Sequence, residues 1–183
     1  ANLAFLGADR GTHYALQRQA GFAQTADSKA ARFTSVPQAT VLERDGREFR
    51  KWLDQAPKPV GLLAVDDYLA WSIAQRCMDW EAEVPGQVLI LGFNNDVFNC
   101  EFCQPSLSSV IMPSRAIGYK VAEMLDRLMQ GRRLTSEELL IPSPGIAERI
   151  STQIAAFGCP ELDRALRFIR QNAAQPIGVK QVI

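Results

Sequence analysis
The chain has 183 residues, 47% of them hydrophobic and 22% charged, which is ordinary globular composition with enough apolar mass for one packed core. Twenty basic residues balance twenty acidic ones, so there is no net basic field of the kind that gathers nucleic acid. No run approaches the roughly 18 apolar residues of a membrane-spanning helix, and neither an internal repeat nor a low-complexity tract is present.

Asn2-Leu-Ala-Phe-Leu-Gly7 is a short apolar run closed by Gly, which predicts a buried strand. Thr12 to Ala26 has helical composition, and Arg32-Phe-Thr-Ser-Val36 reads as a second strand. Between residues 43 and 55, Phe49, Trp52 and Leu53 fall at helical spacing. Pro59 to Val65 is apolar and bounded by Pro and Asp, the pattern of a strand covered on both faces. Asp67 is placed to cap the next helix, which runs to about Glu81 with Ala70, Ile73, Ala74 and Cys77 on one face. Val84-Pro-Gly marks a loop, and Val88 to Gly92 is another buried strand.

Residues 93 to 106 hold three Asn and no period, so a loop is expected there, leaving the end of a strand. Ser108 to Ile111 is a short extended piece. Pro113 opens a helix with Ile117, Val121, Leu125 and Leu128 on one stripe, and Gly131 is its natural stop. Glu138 to Arg149 suggests two short strands around a Pro-Ser-Pro-Gly turn. Leu162, Leu166, Ile169 and Ala173 define a last amphipathic helix, followed by Pro176-Ile-Gly178 and the first turn of another helix. Alternating strands and helices predict an α/β, doubly wound parallel sheet with a short helical stub at the C-terminus. In such sheets ligands sit beyond the carboxyl ends of the strands.

The order of these segments resembles the effector domain of lactose-repressor-type regulators, which share the periplasmic-binding-protein fold. Arg18 to Phe22, Val65 to Asp67, Val84 to Asn95, Leu107 to Val110 and Gly118 to Arg149 carry the resemblance. Residues 162 to 183 resemble the opening of an AraC-type helix-turn-helix domain, through Ala165, Phe168-Ile-Arg170, Ile177, Val179 and Val182. Together the two parts have the layout of xylose-regulator-like proteins. The resemblance implies an effector domain over 1–152, mainly its second lobe, with 111–131 crossing to an absent first lobe. It further implies a linker over 153–159 and the start of the DNA-binding module over 160–183. The chain is then expected to be part of a sugar-responsive, cytoplasmic transcription regulator, with a pentose such as xylose as effector. DNA would be read only by the full-length protein, since a recognition helix must reach base edges. The stripe from Ile117 to Leu128 is expected to fold back on the lobe or to be buried in a homodimer.

In that family the Arg at position 18 contacts the effector, and its planar fork suits paired hydroxyls or a carboxylate. Asp66 is the candidate acceptor of sugar hydroxyls, with Asp67 as the helix cap. Asn94 and Asn95 are further ligand candidates. The family has Asp at position 94, so the amide here bears on which sugar is held. Phe93, and less so Trp71, could offer a flat apolar face to a sugar ring.

No metal, cofactor or membrane partner is expected. Cys77, Cys100, Cys103 and Cys159 do not form a disulfide framework, which fits a reducing compartment. Cys100-Glu-Phe-Cys103 lacks two further zinc ligands, and His13 is the single histidine. No G-x-S-x-G elbow or phosphate-binding loop occurs, so hydrolytic catalysis has little support. Two rival readings are a sugar-binding protein without DNA binding and a small α/β enzyme working at Asp66 and Asp67.

Overall fold
A computed structural model describes residues 2–7, 12–133, 139–154, 160–172 and 175–182. It divides into two compact units, 1–152 and 153–183. The first is built on one six-stranded sheet with the order β2-β1-β3-β4-β5-β6. The strands are β1 (Asn2–Leu6), β2 (Arg32–Val36), β3 (Val60–Ala64), β4 (Val88–Asn94), β5 (Ser108–Ile111) and β6 (Ile146–Ala147). The first five are parallel, and β6 closes one edge antiparallel to β5. Of the two short strands expected around Pro142-Ser-Pro-Gly145, β6 alone forms among the described residues; 139–145 runs as non-regular chain.

The central strands are continuous apolar runs because both of their faces are covered. Gly92 points toward α4 (Asp67–Asp79), where an added Cβ would meet Asp67 and Ala70. Side chains alternate along a strand, so the neighbouring Phe93 points to the opposite face. There it meets Arg18 of α1 (His13–Ser28). Hence α1 and α4 lie on opposite faces, which is the doubly wound arrangement. Ala70, Ile73, Ala74 and Cys77 of α4 are all buried, as their spacing predicts, and so is Leu69. Burying a Leu, Ile or Phe completely stabilises the fold by about 1.5–3 kcal/mol, and Phe5, Leu6, Phe49, Leu62, Leu69, Ile73 and Ile90 are among those fully enclosed.

Two short helices escape the sequence reading. One is α2 (Gln38–Leu42), which precedes α3 (Arg47–Gln55). The other is α5 (Val97–Glu101), inside the stretch read as a loop; that stretch also contains the last two residues of β4. Each spans only five residues, too few for an apolar period to show. The helix α6 (Ser114–Met129) begins after Pro113 as expected, yet it buries none of its residues. Val121, Leu125 and Leu128 are all more than half exposed. The stripe therefore does not fold back onto the lobe.

Chain 146–152 returns to the sheet through β6 and a 3₁₀ turn, Ile150–Thr152. The Ser108 backbone NH donates to Ser151 Oγ at 2.8 Å, and Ser151 Oγ donates to the Ile90 carbonyl at 2.6 Å. Ser108 Oγ donates to the Arg149 carbonyl and lies 2.6 Å from Thr152 Oγ1. The second unit holds α7 (Pro160–Gln171) and the turn-long α8 (Val179–Val182). Gln181 Oε1 accepts from the Gly178 backbone NH at 2.8 Å, a reach-back contact at the start of α8. Ala173, expected on the apolar face of α7, and the linker stretch 155–159 with Cys159 lie outside the described residues.

Candidate functional site
The chain leaves β1 for β2, then returns across β1 to form β3. The carboxyl ends of β1 and β3 thus flank the point where the strand order reverses, where open α/β sheets hold their ligands. Arg18 is the side chain that reaches this point from α1. Its Nη1 donates to the Val65 carbonyl just past β3, at 2.5 Å. Its Nη2 donates to Asn94 Oδ1 at the end of β4, at 3.2 Å, with Met112 Sδ at 3.9 Å. The guanidinium carbon stands 3.8 Å from the centre of the Phe93 ring and 5.0 Å from that of Tyr14. Aromatic faces attract a guanidinium electrostatically and fix its plane. Arg18 is therefore held in place by the protein's own groups. Burial pulls its pKa below the ordinary arginine value, against the opposing pull of Tyr14, Asp66 and Asp67; the group stays cationic.

Arg18, Phe93 and Asn94 come together in direct contact, with Asp66 near enough to act on the Arg18 charge. The capping role expected of Asp67 falls to Asp66, however. Asp66 is the N-cap of α4: its Oδ1 accepts from the Leu69 backbone NH at 2.8 Å. Among the described residues no hydrogen bond falls on its other carboxylate oxygen. Asp67 is instead buried, 1% exposed, under the turn that follows β4. Its Oδ1 accepts from Ser109 Oγ and its Oδ2 from the Asp96 backbone NH, both at 2.6 Å. Burial raises its pKa, and hydrogen bonds from Ser109, Asp96 and Cys100 oppose that rise. The helix starts one residue earlier than its apolar period suggests, which moves the cap from Asp67 to Asp66.

Asn95 turns away from Arg18. Its Oδ1 accepts from Arg149 Nη1 at 3.0 Å, and its backbone NH donates to Ser109 Oγ at 2.9 Å. Arg149 also pairs with Glu101 at 2.7 Å and donates to the Leu107 carbonyl. Asn94 and Asn95 have φ of 111° and 56°, a left-handed region that Asn tolerates better than most side chains. This double reversal sends two adjacent amides in different directions. Trp71 lies on α4 beside Tyr68, ring centres 6.3 Å apart.

Tyr14, Ser109, Met112 and Arg149 were not singled out from the sequence as site residues. Ser109 lies inside the Leu-Ser-Ser-Val stretch and Arg149 ends the Glu-Arg pair, but neither pattern tells what the side chain touches. Cys100 and Cys103 are buried, free thiols, pushed up to about 12 and about 11. Among the described residues no group of three His, Cys, Asp or Glu could hold a metal, and no helix is long and apolar enough to cross a membrane.

A half-buried arginine fixed at the reversal point, with amide and carboxylate groups beside it, is the arrangement of an α/β ligand-binding domain. A family model described as a periplasmic binding protein-like domain matches residues 1–152, and the chain belongs to that family. It is 31% identical over 132 residues to the xylose operon regulatory protein of Escherichia coli K12, covering 72% of this chain and 34% of that protein. Its identity to the protein of the same name from Haemophilus influenzae is 32% over the same length, with the same coverage. A solved structure described as the xylose-binding transcription activator xylR superposes with a TM-score of 0.83 at 27% identity, over 99% of this chain and 49% of that one. The chain spans about a third of the length of these curated relatives.

Proposed function
We propose that the first unit is the effector-binding lobe of a sugar-responsive, cytoplasmic transcription regulator without enzymatic activity. The observation that carries this is the Arg18 guanidinium, stacked on Phe93 and bonded to Val65 and Asn94 at the reversal point of the sheet. Its remaining donors, the Asp66 oxygen that takes no hydrogen bond among the described residues, and the Asn94 amide suit a ring with adjacent hydroxyls. Pentoses are the first class to try, because relatives named for xylose share the family. The effector would bias the intact protein by holding one arrangement better than another.

The DNA-directed part of the reading rests on the second unit. Its order of amphipathic helix, Pro-Ile-Gly and a second helix start resembles the opening of an AraC-type module, and this likeness supports the reading. A homodimer belongs to the same reading and is checked by sedimentation of the intact protein. The deciding experiment is calorimetric titration of the intact protein with pentoses and hexoses, with Arg18→Ala in parallel. Saturable binding of one sugar, lost in the variant, is the expected result. Binding of no sugar, or full binding by Arg18→Ala, would overturn the reading.

A further inference from the structure
Asp67 is one residue from the ligand candidate Asp66, yet it faces the other way. Two donors from two places converge on it: Ser109 Oγ from β5 and the Asp96 backbone NH from the turn. Ser109 Oγ in turn accepts the Asn95 backbone NH. Space for this carboxylate exists only because residue 92 is glycine; a Cβ there would stand 2.1 Å from Asp67 Oδ1. So one oxygen of a buried carboxylate holds the turn over residues 94–96 directly, and the other holds it through Ser109. That turn has left-handed φ at two consecutive non-glycine residues, a conformation that persists only where its surroundings fix it. Its product is the placement of Asn94 Oδ1 against Arg18.

We propose that Asp67, with Ser109, is the positioning residue of the effector site: it touches no ligand and sets where Asn94 meets Arg18. The proposal rests on the effector-site reading for its consequence, but its structural content does not. An amide at position 67 can accept from the Asp96 NH through its oxygen, but its nitrogen must then donate to Ser109 Oγ, which reverses that bond and removes the charge from both contacts. Ser109→Ala removes one donor to Asp67 and the acceptor for Asn95 at once, with a smaller change in volume.

The test uses the intact protein as wild type, Asp67→Asn, Ser109→Ala and Ser109→Thr. Two quantities are read beside thermal unfolding. One is the NMR signal of the Arg18 Nε–Hε group without ligand, assigned by its loss in Arg18→Lys. The other is D-xylose affinity by calorimetry. Asp67→Asn and Ser109→Ala should move the Arg18 signal and weaken D-xylose by about tenfold, the loss expected when one charge-assisted hydrogen bond is no longer held in place. Ser109→Thr keeps the hydroxyl and should return both readouts toward wild type, which general destabilisation would not do. Folded Asp67→Asn and Ser109→Ala proteins with an unmoved Arg18 signal would overturn the proposal. If Asp67→Asn does not fold, the Ser109 pair decides. If wild type takes no D-xylose, the Arg18 signal still decides the positioning role, while the sugar reading faces its own panel.

Discussion

Arg18 Nη2 and Asn94 Oδ1 stand 3.2 Å apart although 76 residues separate them in the chain. The contact joins α1 to the end of β4 and depends on a fork of donors, since Nη1 of the same group serves Val65. Arg18→Lys keeps the charge and loses the fork. Hydrogen bonds to charged groups contribute about 1.5–3 kcal/mol, so effector affinity should fall roughly tenfold to hundredfold. Calorimetry on the sugar that wild type selects measures this, and an unchanged affinity would remove Arg18 from the site.

Asp66 has two separable tasks. Asn caps a helix as well as Asp, whereas Ala costs about 1 kcal/mol at such a position. Asp66→Asn should therefore unfold at nearly the wild-type denaturant concentration, and Asp66→Ala earlier. Effector affinity should drop in both if the carboxylate accepts ligand hydroxyls. Wild-type affinity in Asp66→Asn would confine Asp66 to capping.

The buried Asp67 gives a pH signature of unusual sign. Its pKa is raised in the folded protein above the ordinary value of 3.8, chiefly by burial. The fold therefore holds this proton more tightly than the unfolded chain does. As pH rises from the ordinary value through the raised one, this residue's contribution to stability falls, then levels off. Urea unfolding of wild type and Asp67→Asn across that window measures it. The wild-type advantage should shrink as pH rises; growth of that advantage would contradict the burial argument.

The thiols of Cys77, Cys100 and Cys103 are pushed up to about 12, 12 and 11 by burial. The thiolate is the reactive form, so these three should resist iodoacetamide near neutral pH in the native protein and react on unfolding. Peptide mass spectrometry resolves each position. Rapid native labelling of Cys100 or Cys103 would reopen a chemical role for the pair.

The parallel strands were legible because burial on both faces leaves nothing polar in runs such as Val60–Ala64. Helix α4 was legible because Ala70, Ile73, Ala74 and Cys77, all buried, fall at helical spacing. The site was legible only at the level of segments. Arg18, Asp66, Phe93 and Asn94 lie at strand ends or on the first helix, where the topology had to bring them. The division of labour between Asp66 and Asp67, or between Asn94 and Asn95, was not legible. Such neighbours have the same chemistry, and a one-residue shift in helix start or a positive φ decides which way each one faces.

The closure of Ser151 on Ser108 and Ile90 also fixes where the first unit ends. Apolar area plays little part there: Ser151 is wholly enclosed while Ile150 beside it stays partly in water. A cut made before Ser151 would strip a strand amide and a strand carbonyl of their partners in the interior. Each such orphan costs about 1–3 kcal/mol, comparable to losing a core leucine. The end of the first unit is therefore set by a serine hydroxyl, and an excised first unit should hold together only if it extends through Thr152.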